Sequence, residues 1–295
     1  MGQFWIFGAM SPAELYRRVA AFLRIKAESL HDPLDATEDA DDFAKTLRLV
    51  NTRRARKQIS IVKMLLGQPL YQIPQAGDAK PLRITALGPS GNSVSNYEKS
   101  LETCFDKSDP NKFLAAHAPK VGNNRVSAAL QIEYGDTNVL LGGDMVREGW
   151  KDALNWSAST LRLKATLVKA SHHGSTNGYC DRLWEDHFSP DKTATSVVTA
   201  YCRKGLPPKE GVSHMKANTQ SVYTTSKTAL HFRTGRTDGR RRSAFRLMPV
   251  DAVAALEQTF LSARPKFSEE QGICSFALDD SGRFEVLMTG DASRI

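Results

Sequence analysis

Carboxylate and histidine side chains follow the ends of three predicted strands, where they could bind a metal ion or a phosphate group. Asp144 comes directly after an apolar strand and two glycines, which allow the backbone to approach a ligand closely. His172 and His173 leave the next predicted strand and are followed by Gly and Ser. His214 lies on a predicted loop after the strand that comes next. Carboxylates and neutral imidazoles are common ligands of divalent metals, so this pattern indicates metal or phosphate chemistry.

Each of these signals also has a structural interpretation. An Asp at a strand end often caps the following helix, and an isolated histidine such as His214 is as often structural. Two adjacent histidines point in different directions, so one could bind a metal while the other contacts substrate or supports the first. The order strand-Gly-Asp, strand-His-His-Gly-Ser, strand-loop-His is more specific than any of its parts.

The composition narrows the class of protein. The chain has 295 residues, of which 41% are hydrophobic, so it can bury a sizeable core and wholesale disorder is excluded. The sequence contains neither an apolar run long enough for a membrane span nor a signal-peptide pattern, and we expect a cytoplasmic protein. The four cysteines form no Cys-x-x-Cys pair, which argues against a disulfide framework and against a thiolate zinc site.

The charge balance favours anionic partners. The formal net charge is +8, and the excess is concentrated in two clusters, residues 53–57 and 233–246. Each cluster is either an ordinary solvated surface or a patch that contacts phosphate.

Strands and helices alternate along the chain, which predicts an α/β layered domain. The apolar spacing predicts a helix over 43–66 and another over 217–229, with a Pro/Gly loop over 205–214. Further predicted elements are strands at 4–7, 82–87, 126–134, 138–141, 165–170 and 196–201, a capped helix from Ser11, helices at 97–105, 146–156, 181–188 and 250–260, and a hairpin at 274–278 and 284–288.

These motifs together resemble the second half of the metallo-β-lactamase fold, and within it the hydrolase domain of ComEC-type competence DNA-uptake proteins. The resemblance covers roughly residues 82–235. It is carried by LRITALGP at 82–89, NRVS at 124–127, LLGGD at 140–144, LVKASHHGS at 167–175 and SHM at 213–215, where only the histidine matches the family's Gly-His-Pro. The implied fold is a metallo-β-lactamase-like αββα sandwich.

The resemblance also implies roles for the site residues. Asp144 would be the carboxylate that bridges two metal ions, Zn²⁺ or Mn²⁺, and His173 a ligand of one of them. His172 would face the scissile phosphate, and His214 would stand nearby as a donor or a supporting group. The implied substrate is a phosphodiester or nucleic acid.

The family's other ligands come from a His-x-His-x-Asp-His motif in the first half, and this sequence has no His-x-His. We therefore expect an N-terminally incomplete fold, either a fragment or a protein that has lost its metal site. The predicted divisions are 1–81 as a remnant of the first half with a helical insertion, 82–235 with the metal-site motifs, and 236–295 as a basic loop with a helix and a hairpin.

The predicted function is a metal-dependent hydrolase, of the phosphodiesterase or nuclease type, that is weak or inactive unless another polypeptide completes the site. Two alternatives remain open: a basic nucleic-acid-binding scaffold without catalysis, and an interaction protein that completes a partner's fold. No association with membranes is expected.

Overall fold

The structure is a computed structural model, and it describes only part of the chain. The described residues are 2–7, 49–50, 52–103, 123–157, 164–180, 183–201, 205–226, 273–279, 281–289 and 292–295. The predicted helices that begin at Ser11 and span 250–260, and the basic cluster 233–246, lie outside them.

The described elements alternate between strands and helices, which confirms the α/β class. The helices are α1 (Gly91–Glu102), α2 (Arg147–Ser157) and α3 (Lys209–Asn218), with single-turn elements at Asn123–Val126, Ser171–Gly174 and Trp184–Phe188. The strands are β1 (Gly2–Phe7), β2 (Ile59–Met64), β3 (Pro69–Ile73), β4 (Leu82–Gly88), β5 (Ala129–Tyr134), β6 (Thr137–Leu141), β7 (Leu167–Lys169), β8 (Thr195–Val198), β9 (Ser221–Thr224), β10 (Ile273–Leu278), β11 (Phe284–Thr289) and β12 (Ser293–Arg294).

Eight of these strands form one mixed sheet, in the order β12-β9-β8-β7-β6-β5-β4-β3. Strands β7, β8 and β9 are parallel to one another, whereas β3, β4 and β5 are antiparallel. The remaining strands form two pairs, a parallel one of β1 with β2 and an antiparallel one of β10 with β11. This strand order does not by itself establish an αββα sandwich, which stays a prediction.

The chain divides into two compact units. The first unit comprises Met1–Gly135 and Leu140–Leu163, and the second comprises Asp136–Val139 and Lys164–Ile295. The sequence divisions after residues 81 and 235 stay predictions. Among the described residues, no helix is both long enough and apolar enough to cross a membrane.

An apolar cluster in the first unit joins β1 and β2 to the sheet strands β3, β4 and β5. Met64, Leu70 and Ala86 are buried there, and Trp5 and Val62 pack against them. Burial of these apolar side chains is the main favourable contribution to the folding of this unit.

A hydrogen-bonded cap joins the two helices of the first unit. The hydroxyl of Ser90 accepts a hydrogen bond from the backbone N–H of Ser93 (3.2 Å), in the manner of a helix N-cap. The same hydroxyl donates to the carboxylate of Asp152 on α2 (2.5 Å). The start of α1 is therefore fixed to the side of α2.

The second unit places the ends of its parallel strands at one sheet edge. Leu167 lies opposite Thr195 and Val197 lies opposite Tyr223, so β7, β8 and β9 are in close register. Because the three strands run in the same direction, the residues that follow each of them emerge at the same edge. Open α/β sheets commonly bind ligands at this edge.

The predicted helix over 43–66 is wrong in its second half. Residues 52–55 are helical, but Lys57 has φ +57° and Ile59–Met64 form strand β2, parallel to β1. The left-handed residue ends the helix, and the β-branched residues after it favour a strand. The apolar residues of the helix and of β2 happen to continue one helical spacing across the break, although they belong to two elements.

The loop predicted at 205–214 and the helix predicted at 217–229 are also wrong in part. Helix α3 spans Lys209–Asn218 and is followed at once by strand β9, Ser221–Thr224. Pro208 stands at the N-cap position, so the proline precedes the helix without breaking it. His214 therefore lies on a helix.

Candidate active site

The two adjacent histidines lie in a turn whose left-handed backbone is uncommon for residues other than glycine. This histidine turn, Ser171–Gly174, follows β7 directly. His172 has φ 47° and ψ 45°, and His173 has φ 53° and ψ 32°. A left-handed conformation costs a non-glycine residue about 1–2 kcal/mol, and two in succession are rare. Strain of this kind persists where the side chain is required, which makes the turn a candidate functional site.

Close packing holds the histidine turn against helix α3. Gly174 has φ +70°, and a Cβ there would lie 3.0 Å from Cβ of Pro207. Gly211, in the first turn of α3, lies so near that its Cβ would be 2.0 Å from the carbonyl oxygen of Gly174. Only glycine fits at this contact, so the turn and the helix are positioned by direct backbone approach.

His173 is oriented by residues that follow β8. Its Nδ1 lies 2.9 Å from the carbonyl oxygen of Thr199 and 3.1 Å from the hydroxyl oxygen of the same residue. A carbonyl can only accept, so Nδ1 donates and carries the proton of the neutral ring, which places the lone pair at Nε2. The ring also stacks on Tyr201, with centroids 5.2 Å apart and planes inclined by 30°. Ring plane and tautomer are thus both fixed, as in histidines that bind metals.

His172 is oriented from within its own loop. Its Nδ1 lies 2.8 Å from Oδ1 of Asn177. With the amide oxygen as acceptor, Nδ1 again carries the proton and the lone pair is at Nε2. Both histidines are half-buried. An imidazole in this tautomer can bind a metal ion or accept a proton through Nε2.

His214 is packed as an aromatic residue. Its ring stacks on Tyr179, with centroids 4.0 Å apart and planes inclined by 12°, and meets Trp184 edge-on at 5.7 Å. Its Nε2 is a buried atom. These contacts bring α3 beside the segment that follows the histidine turn. The role of His214 as a donor to substrate stays a prediction.

Asp144 follows β6 in a turn that depends on glycine. Gly143 has φ +53°, and a Cβ there would lie 2.1 Å from the carbonyl oxygen of Ala128. Asp144 itself is half-buried and belongs to the first unit, whereas the three histidines belong to the second. Its role as a metal ligand stays a prediction.

The donor chemistry suits a divalent metal, but the described residues do not assemble a complete metal centre. Nε2 of a neutral histidine is a good ligand for Zn²⁺, and His173 has the backbone support that such ligands use. Within the described ranges, however, no group of three or more His, Cys, Asp or Glu side chains could hold a metal ion. A structural or catalytic zinc site needs at least three protein ligands. The described part of the chain therefore does not fit Zn²⁺ or Mn²⁺ without further ligands.

Sequence reasoning missed the residues that orient the two imidazoles. Asn177 had a local signal, because Asn-Gly four residues beyond a strand-end histidine pair predicts a tight turn back toward it. Thr199 and Tyr201 had none, since they reach His173 only through the parallel pairing of β7 with β8.

Comparison of the whole chain with protein-family models, with curated proteins and with solved structures gives no match.

Proposed function

We propose that the chain takes part in metal-dependent hydrolysis of phosphodiesters, with nucleic acid as the substrate class, and that the histidine turn is its reactive centre. One observation carries the proposal. Two successive histidines occupy left-handed positions at the carboxyl end of a parallel strand, and each has Nδ1 hydrogen-bonded to an acceptor. A fold that needed only the turn would be more stable with glycine at these positions.

The two histidines have different neighbours, which suits them to different tasks. His173 is held by a backbone carbonyl and an aromatic ring, so it is the better candidate for a metal ligand of fixed direction. Nδ1 of His172 contacts the side chain of Asn177 at an exposed position, which suits a residue that faces substrate. A neutral imidazole with its lone pair at Nε2 can accept a proton from an attacking water.

We also propose that the metal site is incomplete in the isolated chain. Because the described residues bring fewer than three metal ligands together, further ligands have to come from outside them. A second polypeptide that supplies ligands is one such source. The net charge of +8 favours a polyanionic substrate in either case.

Metal binding by the purified full chain tests the proposal. After dialysis against Zn²⁺ or Mn²⁺, the metal content is counted by mass spectrometry across a series of free-ion concentrations. We expect weak but saturable binding of one ion, and His173→Gln should weaken it about tenfold or more. The matched control is His187→Gln, which changes a histidine of the Trp184–Phe188 element and should leave binding unchanged.

Two results would overturn parts of this proposal. Equal metal binding by the wild type and His173→Gln, or no metal binding at all, removes the metal site from the histidine turn. Rapid hydrolysis of bis(p-nitrophenyl) phosphate by the isolated chain contradicts the incomplete site. The same dialysis with Asp144→Asn, and with Asp136→Asn as its control, tests the predicted role of Asp144.

A second candidate function, nucleic-acid binding without catalysis, is favoured by the basic segment, residues 53–57. Its four cations, Arg53, Arg54, Arg56 and Lys57, are all exposed. If each contacts one phosphate, the logarithm of the binding constant for duplex DNA should fall with that of the salt concentration with a slope of about −3 to −4.

Alanine at all four positions of the basic segment tests this second function. The slope should flatten towards zero, while alanine at four other exposed lysines, Lys80, Lys99, Lys151 and Lys209, should change it little. An equal loss of affinity in both variants shows only general charge attraction and removes the basic segment as a specific site.

A further inference from the structure

We propose that Asn177 is a positioning residue for His172, and that it holds the proton of the neutral imidazole on Nδ1. The inference rests on the proposed function for its purpose, since it prepares Nε2 of His172 to face substrate. Its structural basis is independent of any metal ion. Asn177 Oδ1 lies 2.8 Å from Nδ1 of His172, five residues earlier in the chain.

A tight turn brings Asn177 back over His172. The backbone N–H of Ser175 donates to the carbonyl of His172 (2.9 Å), and the N–H of Gly178 donates to the carbonyl of Ser175 (2.8 Å). These two bonds close successive turns, so the chain between Ser175 and Gly178 curls towards the histidine turn. Asn177 is the residue at the tip whose side chain points back.

Gly178 makes this return possible. A Cβ at Gly178 would lie 2.8 Å from the carbonyl oxygen of Ser171 and 2.9 Å from Cβ of His172. Such distances are shorter than van der Waals contact, and one of the two obstacles is backbone that cannot rotate away. The sequence Asn-Gly therefore combines an acceptor with the only residue that lets it reach the ring.

The contact decides which nitrogen of His172 can react. Nδ1 donates to the amide oxygen, so the ring nitrogen that bears the lone pair is Nε2, on the opposite side of the imidazole. Without a partner at Nδ1, a neutral imidazole in water prefers the opposite tautomer. The backbone carbonyl of Thr199 fixes the tautomer of His173 in the same way, and no side-chain substitution can remove that carbonyl. At His172 the acceptor belongs to a side chain, so its effect on the tautomer can be tested by substitution.

The test is the tautomer of His172, read from the ¹⁵N chemical shifts of its ring nitrogens in alkaline buffer without metal. Resonances are assigned by their loss in His172→Gln. In the wild type we expect the proton mainly on Nδ1. In Asn177→Leu the tautomer ratio should move about fivefold towards Nε2–H, which is the change that one hydrogen bond of ordinary net strength supports. Asn177→Asp, whose carboxylate also accepts, should restore the wild-type tautomer.

Two further variants separate positioning from a general effect on folding. Asn155→Leu makes the same change at an exposed position of α2 and should leave the tautomer of His172 unchanged. Gly178→Ala keeps the asparagine but obstructs the turn, so it should move the tautomer in the same direction as Asn177→Leu.

The outcomes distinguish this inference from the proposed function. A wild-type ring protonated on Nε2, or a tautomer that Asn177→Leu does not alter, overturns the positioning role. If the tautomer responds as expected but the chain binds no metal, the positioning role stands and the proposed function fails. If the histidine turn also supports hydrolysis, Asn177→Leu should lower kcat more than it raises KM, and Asn177→Asp should recover it.

Discussion

Two consecutive strands, β6 and β7, end in turns that need the same backbone conformation but fill it with different residues. After β6, the left-handed position is Gly143, with φ +53°. After β7, the left-handed positions are His172 and His173, with φ 47° and 53°. At Gly143 the geometry is obtained at no steric cost, whereas at the histidines it is obtained against the preference of the backbone. The difference indicates that the first turn serves the path of the chain and the second serves its side chains.

The two turns also differ in what surrounds them. A Cβ at Gly143 would collide with the backbone of Ala128, so that position has no room for a side chain. His172 and His173 each have room for a ring and a hydrogen-bond acceptor for it, in Asn177 and Thr199. In the histidine turn, the residue in close backbone contact is Gly174, which lies against Gly211 of α3.

The largest expected effect is that of Gly143→Ala. The new methyl group would lie 2.1 Å from the carbonyl oxygen of Ala128, in a residue with φ +53°. Overpacking against backbone and left-handed strain should together destabilise the chain by about 3 kcal/mol or more. Urea unfolding measures the loss. The control is Gly91→Ala, where a Cβ would meet nothing within 4 Å. A loss below 1 kcal/mol (an estimate on the scale of ordinary surface changes) would show that the glycine turn is not constrained as described.

Gly211→Ala should have the next largest effect. In an unconstrained helix this change stabilises, by about 1 kcal/mol. Here the Cβ would lie 2.0 Å from the carbonyl oxygen of Gly174, so α3 must move away from the histidine turn. We expect a destabilisation of about 1–3 kcal/mol and a changed ring environment at His173 in NMR spectra. An increase in stability would mean that the helix and the turn are not in contact.

Tyr201→Leu removes the ring that stacks on His173 while keeping an apolar side chain. We expect a loss of about 0.5–1.5 kcal/mol in the free energy of unfolding, the range for aromatic pairs. Tyr134→Leu is the matched control, because Tyr134 is 38% exposed and Tyr201 is 40% exposed. Equal losses in the two variants would assign the effect to general burial and not to the stack.

The smallest effect is expected at a third turn, between β10 and β11, which is stabilised by a carboxylate. The hydroxyl of Ser281 donates to Asp279, and this bond, with those from the backbone N–H groups of Arg283 and Ser281, lowers the pKa of Asp279 below its ordinary value of 3.8. A carboxyl whose pKa is lowered by folding contributes stability above its unfolded pKa, and the contribution is lost as the pH falls through the folded value.

Asp279→Asn should therefore be slightly less stable than the wild type at neutral pH, and the difference should close as the pH falls below 3.8. Urea midpoints of both proteins across that range measure it, with Asp78→Asn, in the exposed turn before β4, as the control. A gap that persists unchanged in acid would show that the carboxylate is not the source of the effect.

The sequence predicted those parts of the fold in which the spacing of apolar residues changes where one helix or strand ends and the next begins. Strands β4 and β6, helix α2 and both strands of the β10–β11 hairpin match the predicted segments to within one residue at each end, because alternation and turn residues bound each of them clearly. The prediction failed at 43–66, where a helix and a strand share one continuous apolar spacing. It failed again at α3, where Pro208 and Gly211 suggested a loop, although one precedes the helix and the other serves a close contact.

The site was predictable in its residue types and not in its contacts. The strand-end histidines could be found because a short apolar strand leads into His-His, and Gly-Ser follows the pair. Their hydrogen-bond partners depend on φ values that sequence preferences argue against and on the parallel pairing that brings Thr199 to His173. Strained conformations of this kind are where local propensity fails, since tertiary contacts maintain them.

His173 holds its left-handed conformation at a cost to stability, and the difference in unfolding free energy between His173→Gly and His173→Ala measures that cost. Both variants lose the same ring, its hydrogen bond and its stack, so only the backbone preference separates them. We expect the glycine variant to be the more stable by about 1 kcal/mol. At Ser95, an exposed position of α1, the same pair should show the ordinary order, with alanine more stable by about 1 kcal/mol. If His173→Ala is more stable than His173→Gly, the left-handed conformation of residue 173 carries no such cost.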